Sequence, residues 1–245
     1  MTLTWVSPGG EETVLWPATG DLYLEGRTLE GFTGVWQDNP TAVIGEPGGR
    51  VDRRNIVVEQ MTGTFTLRVK TSVAWQRLRR MFSPLNAGTL IIDGWELPCR
   101  LAAGLPAPGV IPRRGASVAV SLVSDVGVWV KPMSGMGSVT VTNHGDVPVW
   151  PTIAWDGAGG PVILPSGATF ALPAVPSPRV VDLTRSSSGV VRDDSGRVDR
   201  EVTRKLLMIA ECVPVGGTAK FTAPEGATLH WGIGVLDVFR EVSWS

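Results

Sequence analysis

The chain has 245 residues, of which 43% are hydrophobic and 18% are charged, and its formal net charge is −1. This length suits one large β domain or two ordinary domains, and the apolar content is sufficient for a sizeable core. A nearly neutral chain lacks the basic surface of nucleic-acid-binding proteins, so sequence-specific nucleic-acid binding is not expected.

One amphipathic helix is predicted in the first half of the chain, over residues 71–82. Its apolar side chains recur at the helical period and therefore share one face. These residues are Trp75, Leu78 and Phe82. Ser72 is the expected N-cap, and the Ser-Pro pair that follows ends the helix, because proline cannot continue it. The helix also carries Arg77, Arg79 and Arg80, which we expect to be solvated, with a contact to another protein left open.

Predicted strands precede and follow this helix. Residues 64–70 alternate apolar and polar side chains, and residues 117–122 do so again. Residues 89–101 contain two apolar runs separated by Asp93-Gly94, which is the strongest short-range signal for a β-hairpin. A lone helix among strands indicates an α+β unit, a small sheet or barrel packed against one helix, and not a βαβ enzyme core.

A domain boundary is predicted near Lys131. The Lys131-Pro132 pair interrupts a strand, because proline has no N–H for the sheet ladder. The small residues at 134–137 indicate a flexible hinge. No helix is predicted beyond this point. The predicted domains are residues 1–131, which are β-rich with one helix, and residues 132–245, which form a β-sandwich.

The second half is predicted to be an antiparallel sandwich, since short runs of strand-forming residues alternate with turns. The predicted strands run from residue 139 to a turn at 143–146, and over 149–155, 168–172, 180–183, 190–192, 197–202, 218–222 and 228–235. The sequence Asp193-Asp194-Ser195-Gly196 is predicted to close a hairpin between residues 190–192 and 197–202.

No catalytic, metal or cofactor site is predicted from local motifs. His144 and His230 are the only histidines, and neither has a metal-ligand spacing to a cysteine or to the other. We interpret His144 as an exposed turn residue and His230 as a core or interface residue. Phosphate-binding loops, dinucleotide-binding fingerprints and nucleophile elbows are missing from the sequence.

Two groups of polar residues match known sites only poorly. The first resembles a calcium loop without its alternating ligands and closing glutamate, and an ordinary turn is the preferred interpretation. It consists of Asp193, Asp194, Ser195 and Asp199. The second comprises Asp182 and Asp237, which lie in strand contexts without an evident partner, so they do not define a glycosidase.

Ten tryptophans against one tyrosine are an unusual ratio. Tryptophan buries a large area, so we interpret most of them as anchors of β cores or of subunit interfaces, with sugar stacking as the alternative. They are Trp5, Trp16, Trp36, Trp75, Trp95, Trp129, Trp150, Trp155, Trp231 and Trp244.

Cys99 and Cys212 are too few for a disulfide framework, and they are expected in different domains. We predict free, buried thiols and a reducing compartment. Residues 1–10 lack the basic and apolar segments of a secretory signal, and no apolar run is long enough to cross a bilayer, so no membrane partner is expected.

Taken in order, four segments resemble the distal tail proteins of long-tailed phages, known in phages of actinobacteria as minor tail proteins. The first is similar to the family's helix and following hairpin, and the second to its strand leading into the second domain. The third is similar to its N-x-G-x-x-x-x-x-P-x-I opening, and the fourth to its later aspartate strand and acidic hairpin. The four segments are residues 73–101, 121–132, 141–157 and 180–196.

This resemblance implies a split-barrel-like N-terminal domain with one helix, followed by a galectin-like sandwich. It implies a homo-hexameric ring, formed mainly by the first domain, that joins the tail tube protein to the tip or baseplate hub proteins. The tape-measure protein is a further candidate partner. The implied location is the virion tail tip, after assembly in the host cytoplasm. The family is structural, so no catalytic residue, metal or cofactor is carried over.

Two other functions remain as alternatives. A carbohydrate-binding module for adhesion to the host surface would use the sandwich and its tryptophans, although two domains and no secretory signal weigh against a free module. An enzyme such as a glycosidase is the third hypothesis. Glycan binding by the second domain would favour the module, and turnover of cell-wall glycan would favour the enzyme.

Overall fold

The structure is a computed structural model, and it describes residues 1–26, 28–38, 40–42, 44, 45, 47, 49–51, 57–106, 115–187, 189–206 and 210–242. Within these residues the chain consists mainly of antiparallel strands, with two short α-helices. The predicted fold class is confirmed: the chain is mostly β, and its first helix lies in the N-terminal half.

The chain divides into two compact units. Unit 1 comprises Met1–Trp129 together with Val235–Ser245, and unit 2 comprises Val130–Gly234. The predicted domains, 1–131 and 132–245, differ from these units in the C-terminal segment, which belongs to unit 1. That the two predicted domains fold independently stays a prediction.

Unit 1 is built around strands of clear apolar–polar alternation. Its strands are β1 (Leu3–Val6), β2 (Glu12–Trp16), β3 (Leu22–Leu24), β4 (Glu30–Gly31), β5 (Trp36–Gln37), β6 (Pro40–Ala42), β7 (Gly49–Val51), β8 (Val57–Val58), β9 (Met61–Val69), β10 (Gly88–Ile92), β11 (Trp95–Leu101) and β12 (Ala116–Ser124). The order β2-β1-β10-β11 continues through β12 to β9, and β9 also pairs with β3 and β4. Strand β9 buries every second residue, as its sequence predicts.

The predicted hairpin at Asp93-Gly94 is confirmed, since it joins β10 to β11. Asp93 and Gly94 have φ of 46° and 82°, the left-handed region that such two-residue turns require. Asp93 also accepts a hydrogen bond from the Thr2 N–H at 2.6 Å, so this turn fixes the start of β1.

Helix α1 (Ser72–Met81) lies where the periodicity predicts it and buries Trp75 and Leu78. The predicted N-cap was wrong by one residue: the hydroxyl of Thr71, which keeps extended backbone geometry, accepts the Ala74 N–H at 3.1 Å. Phe82 is buried as expected, but it lies just beyond the helix with extended backbone and stacks on Trp5, with ring centroids 4.5 Å apart.

The prediction of a solvated arginine face on α1 holds for Arg79 and Arg80, which are exposed, whereas Arg77 is half-buried. Arg77 donates to Glu11 at 2.6 Å and to the Thr13 hydroxyl at 2.8 Å. The Arg79 guanidinium lies over the Trp75 ring, 6.0 Å from its centroid. Arg77 therefore attaches the helix to strand β2 and the turn before it, whereas the contact of Arg79 with Trp75 lies within the helix.

Unit 2 is an antiparallel two-sheet structure. Its strands are β13 (Trp129–Met136), β14 (Ser138–Thr142), β15 (Thr152–Gly157), β16 (Gly160–Ile163), β17 (Thr169–Leu172), β18 (Val175–Asp182), β19 (Val191–Asp193), β20 (Thr218–Thr222) and β21 (Ala227–Val235). One sheet has the order β19-β18-β15-β21-β13, and the other has the order β14-β20-β16-β17. Their buried side chains, among them Ile153 and Phe221, form the core of the unit.

Two local predictions in unit 2 were wrong. The segment predicted as a hinge at 134–137 instead continues β13 up to Met136, because pairing with β21 holds these small residues in a sheet. The strand predicted over 197–202 is replaced by helix α2 (Arg200–Lys205), so helix does occur beyond Lys131. Asp199 caps α2 by accepting the Val202 N–H at 3.0 Å.

Candidate functional site

The most distinctive surface of unit 1 is formed by the described residues of 35–58, which include strands β5 to β8 and which we call the arm. Strand β5 pairs with β8 and β6 pairs with β7, and each pair is an antiparallel two-stranded sheet of its own. Every side chain of β5 and β6 is exposed, and Val57 of β8 is exposed as well. A two-stranded ribbon that buries so little in its own chain is only marginally stable alone.

The arm exposes large apolar side chains. The exposed fractions are 51% for Val35, 52% for Trp36, 53% for Val57 and 103% for Ile44. Large exposed apolar side chains concentrated in one segment suit a protein–protein contact, and tryptophan is enriched where such contacts are strongest. The arm is therefore the candidate interface of unit 1.

The root of the arm is fixed in the core by Phe32. This residue has a φ of 60°, which is rare for a bulky side chain, and its ring is buried. The Phe32 ring lies 6.1 Å from the Phe65 ring and meets the Trp129 ring edge-on at 6.4 Å. The Trp129 indole N–H donates to the Phe32 carbonyl oxygen at 2.9 Å. Strain at Phe32 is thus held by packing and by a buried hydrogen bond.

Two glycines permit this geometry. A Cβ at Gly63 would overlap the Phe32 ring, and a Cβ at Gly127 would overlap the Glu59 carbonyl oxygen. Glu59 in turn donates its N–H to the Val35 carbonyl oxygen at 2.8 Å, which closes the base of the arm. The root of the arm is therefore closely packed, whereas the strands that follow it are exposed.

The structure places both histidines on the surface. His144 is exposed in a turn, as predicted, whereas His230 is an exposed residue of β21 and not a core residue. Among the described residues, no group of three or more histidine, cysteine, aspartate or glutamate side chains is arranged to hold a metal ion.

The weak calcium-like group is a turn followed by a helix cap. The Asp193 carboxylate accepts the Ser195 hydroxyl at 2.7 Å and the Arg197 N–H at 2.9 Å, and these bonds lower its pKa. The pKa of Asp199 is lowered by the Val202 N–H that it caps and then by Arg179, whose guanidinium lies at 2.9 Å.

Asp182 and Asp237, the other carboxylates considered above, each accept a hydrogen bond from a nearby backbone N–H. Asp182 accepts the Thr184 N–H at 2.8 Å, and Asp237 accepts the Phe239 N–H at 3.0 Å. Asp182 belongs to unit 2 and Asp237 to unit 1.

The tryptophans fall into three classes. The buried class, which includes Trp5, Trp75, Trp95, Trp129 and Trp155, anchors the cores, as predicted for most of them. Trp16 and Trp36 are exposed, both in unit 1, whereas Trp150 and Trp231 are half-buried in unit 2. Trp244 lies outside the described residues. Within the described part of unit 2, no tryptophan presents the fully exposed ring that a sugar-stacking platform uses.

Both cysteines are free thiols, as predicted. Cys99 is buried in β11, and burial raises its pKa to about 12. Cys212 is only half-buried, so the prediction of a buried thiol was wrong for this residue, although partial burial still raises its pKa. Because the thiolate is the nucleophilic form, a raised pKa lowers the reactivity of each thiol at neutral pH.

Asn143 is a structural residue that its sequence position suggested only as part of a turn. It is fully buried, and its amide donates to the carbonyl oxygens of Val147 at 2.9 Å and Val213 at 3.0 Å. Its side-chain oxygen accepts the Gly145 N–H at 3.0 Å. The asparagine of the N-x-G sequence is therefore a buried residue, and its side-chain amide links loops of unit 2 by hydrogen bonds.

Comparison with known proteins identifies the fold. No protein-family model and no curated protein matches the sequence. The crystal structure of the Dit protein of phage SPP1 superposes with a TM-score of 0.58 at 11% identity, covering 96% of this chain and 99% of Dit. The likeness establishes a Dit-like fold. That protein is described as a paradigm of the hub adsorption apparatus in phages that infect Gram-positive bacteria.

A second protein has the same overall fold. Chains of the phage P2 baseplate, in its activated conformation with Ca or with Sr, superpose with a TM-score of 0.50 at 7% identity. They cover 94% of this chain, and 97% of each baseplate chain is matched. In the described part of the chain, no helix is long and apolar enough to cross a membrane.

Proposed function

We propose that this protein is a structural component of a phage tail tip, where copies of it form a closed ring that acts as a hub. The observation that carries the proposal is the match with SPP1 Dit along 96% of this chain and 99% of that chain. A match of this extent includes both units and their order. Because fold alone does not fix function, the proposal also needs a surface suited to assembly.

The arm supplies such a surface. Its exposed apolar side chains, led by Trp36, leave about half of their surface or more uncovered within the described residues of their own chain. In a ring, each copy presents one surface to the next copy, and the contact repeats until the ring closes. We propose that the arm of one copy packs on unit 1 of its neighbour and that six copies close the ring.

The proposed partners follow from the hub role. One face of the ring would meet the tail tube protein and the other the tip or baseplate proteins, with the tape-measure protein as a further candidate. The role requires binding surfaces and no reaction, so we propose a non-enzymatic protein of the virion tail tip, assembled in the host cytoplasm.

Light scattering and electron microscopy of the purified protein test this proposal. The chain mass is 26.1 kDa, and a ring should have several-fold this mass at micromolar concentration. Negatively stained particles should show rings with six-fold symmetry. A monomer at every concentration, which remains a monomer when tail tube and tip proteins are added, would contradict the proposal.

A further inference from the structure

The chain passes the root of the arm each time it enters or leaves unit 2. Trp129 is the last residue of unit 1 before unit 2, and Val235 is the first residue after it. We call residues 235–242 the strap. Trp129 and the strap are separated by all of unit 2 in the sequence, yet both contact residues 32–34, where the arm begins.

The strap contacts the root through its backbone. The Gly34 N–H donates to the Leu236 carbonyl oxygen at 2.6 Å, and Thr33 forms an isolated antiparallel bridge with Asp237. A Cβ at Gly34 would lie only 3.0 Å from the Leu236 Cβ, so a larger residue would push the strap away. From the other side, the Trp129 indole donates to the Phe32 carbonyl oxygen.

The strap is itself an ordered element of unit 1. Asp237 caps a short 3-10 turn over Val238–Arg240, and Val238 is completely buried. Val235 and Val242 are buried as well, so apolar side chains anchor both ends of the strap in the unit. The strap therefore has the rigidity needed to hold a neighbouring segment in place.

We propose that the strap and Trp129 form a clasp that holds the root of the arm, so that the two chain segments bounding unit 2 determine how firmly the arm is held. Consecutive residues, Phe32 to Gly34, are each bound by one of these segments. A displacement of Trp129 or of the strap would therefore loosen the root of the arm. The consequence for assembly rests on the proposed ring, whereas the clasp itself does not.

Hydrogen exchange of the full-length protein tests the clasp. Trp129→Phe removes the bond to Phe32 and keeps an aromatic ring in the core, and Val238→Ala loosens the strap. Each has a matched control in unit 1. Trp5→Phe removes an equally buried indole bond, to the Met81 carbonyl oxygen at 3.0 Å, and Val120→Ala removes the same two methyl groups from a fully buried site in β12.

In both clasp variants the Gly34 and Glu59 amides should exchange faster than in wild type. The increase should be roughly fivefold in Trp129→Phe, since this variant loses one hydrogen bond of ordinary strength. The same amides should be unchanged in the control variants. Equal rates in clasp and control variants, or unchanged rates in both, would overturn the clasp. Should Val238→Ala fail to fold, Trp129→Phe against Trp5→Phe still decides the question.

The association of copies provides the second readout. If the wild-type protein forms rings, the clasp variants should dissociate at higher protein concentration than the controls, and identical dissociation would overturn the link between clasp and assembly. If the wild-type protein is a monomer, the proposed function fails, while the exchange rates still support or overturn the clasp.

Discussion

Replacing Trp36 by alanine is the most direct test of the arm as an interface. The side chain is 52% exposed and its strand partner across the arm is Val58. Because it contributes little to the core of its own chain, the variant should fold with a melting temperature close to that of the wild type. The loss should appear only in the association of copies.

The size of the loss follows from the area that Trp36 can bury against a neighbour. An aromatic side chain buries about 150–250 Å², so the exposed half offers about 100 Å². At about 25 cal/mol per Å² this area is worth about 2.5 kcal/mol for each contact between copies. The dissociation constant of each contact should therefore rise roughly 50-fold.

Sedimentation velocity over a concentration series measures this change. Trp16→Ala is the matched comparison, because Trp16 is also an exposed tryptophan of unit 1, on β2 instead of the arm, and is 38% exposed. Trp36→Ala should shift assembly to higher concentration and Trp16→Ala should shift it less. Assembly of the Trp36 variant at wild-type concentrations would refute the assignment of the arm. A larger effect of Trp16 would place the contact at β2.

Three further predictions concern folding and reactivity. Trp75→Ala should lower the free energy of unfolding by about 3–5 kcal/mol in denaturant melts, because the ring is buried against the sheet, whereas the exposed control Gln76→Ala should cost less than about 0.5 kcal/mol. In the native protein at pH 7, a thiol reagent should modify Cys212 faster than the fully buried Cys99, and denaturation should release both; finding neither thiol would contradict the free-cysteine assignment. Asn143→Ala should destabilise unit 2 by about 3 kcal/mol, since it leaves buried carbonyl and N–H groups unpaired. Asn143→Asp should also destabilise unit 2, because aspartate keeps the acceptor and loses the two donated bonds. Denaturant melts that show wild-type stability for both variants would contradict this.

Elements with one buried face were predictable from the sequence, because their apolar residues recur at a regular period. Trp75 and Leu78 recur at the helical period, and β9 alternates residue by residue, so both elements lie where the pattern placed them. Asp93-Gly94 gave the hairpin, because few other dipeptides adopt two consecutive left-handed conformations. In each case a requirement of the local structure produces a recognisable pattern in the neighbouring sequence.

Elements that depend on distant partners were not predictable in this way. Helix α2 contains only six residues, too short for a clear period, and its formation depends on the cap from Asp199 and on the Thr203 hydroxyl, which accepts the Val191 N–H. The small residues of β13 have weak preferences of their own and become a strand by pairing with β21. The return of residues 235–242 to unit 1 depends on Gly34, about two hundred positions earlier, and has no local signal.

The arm, which is the proposed assembly surface, shows why an exposed apolar surface is harder to find in a sequence than a core. Core strands must alternate because one of their faces is buried in the same chain, but the described side chains of β5 and β6 have no buried face to impose such a pattern. Trp36 therefore looks like any other tryptophan until the structure separates it from buried residues such as Trp129. What identifies the arm is the combination of exposed apolar strands with a root whose glycines and Phe32 are fixed by close packing. A root packed this closely holds the start of the exposed strands in one position, as the proposed contact with another copy requires.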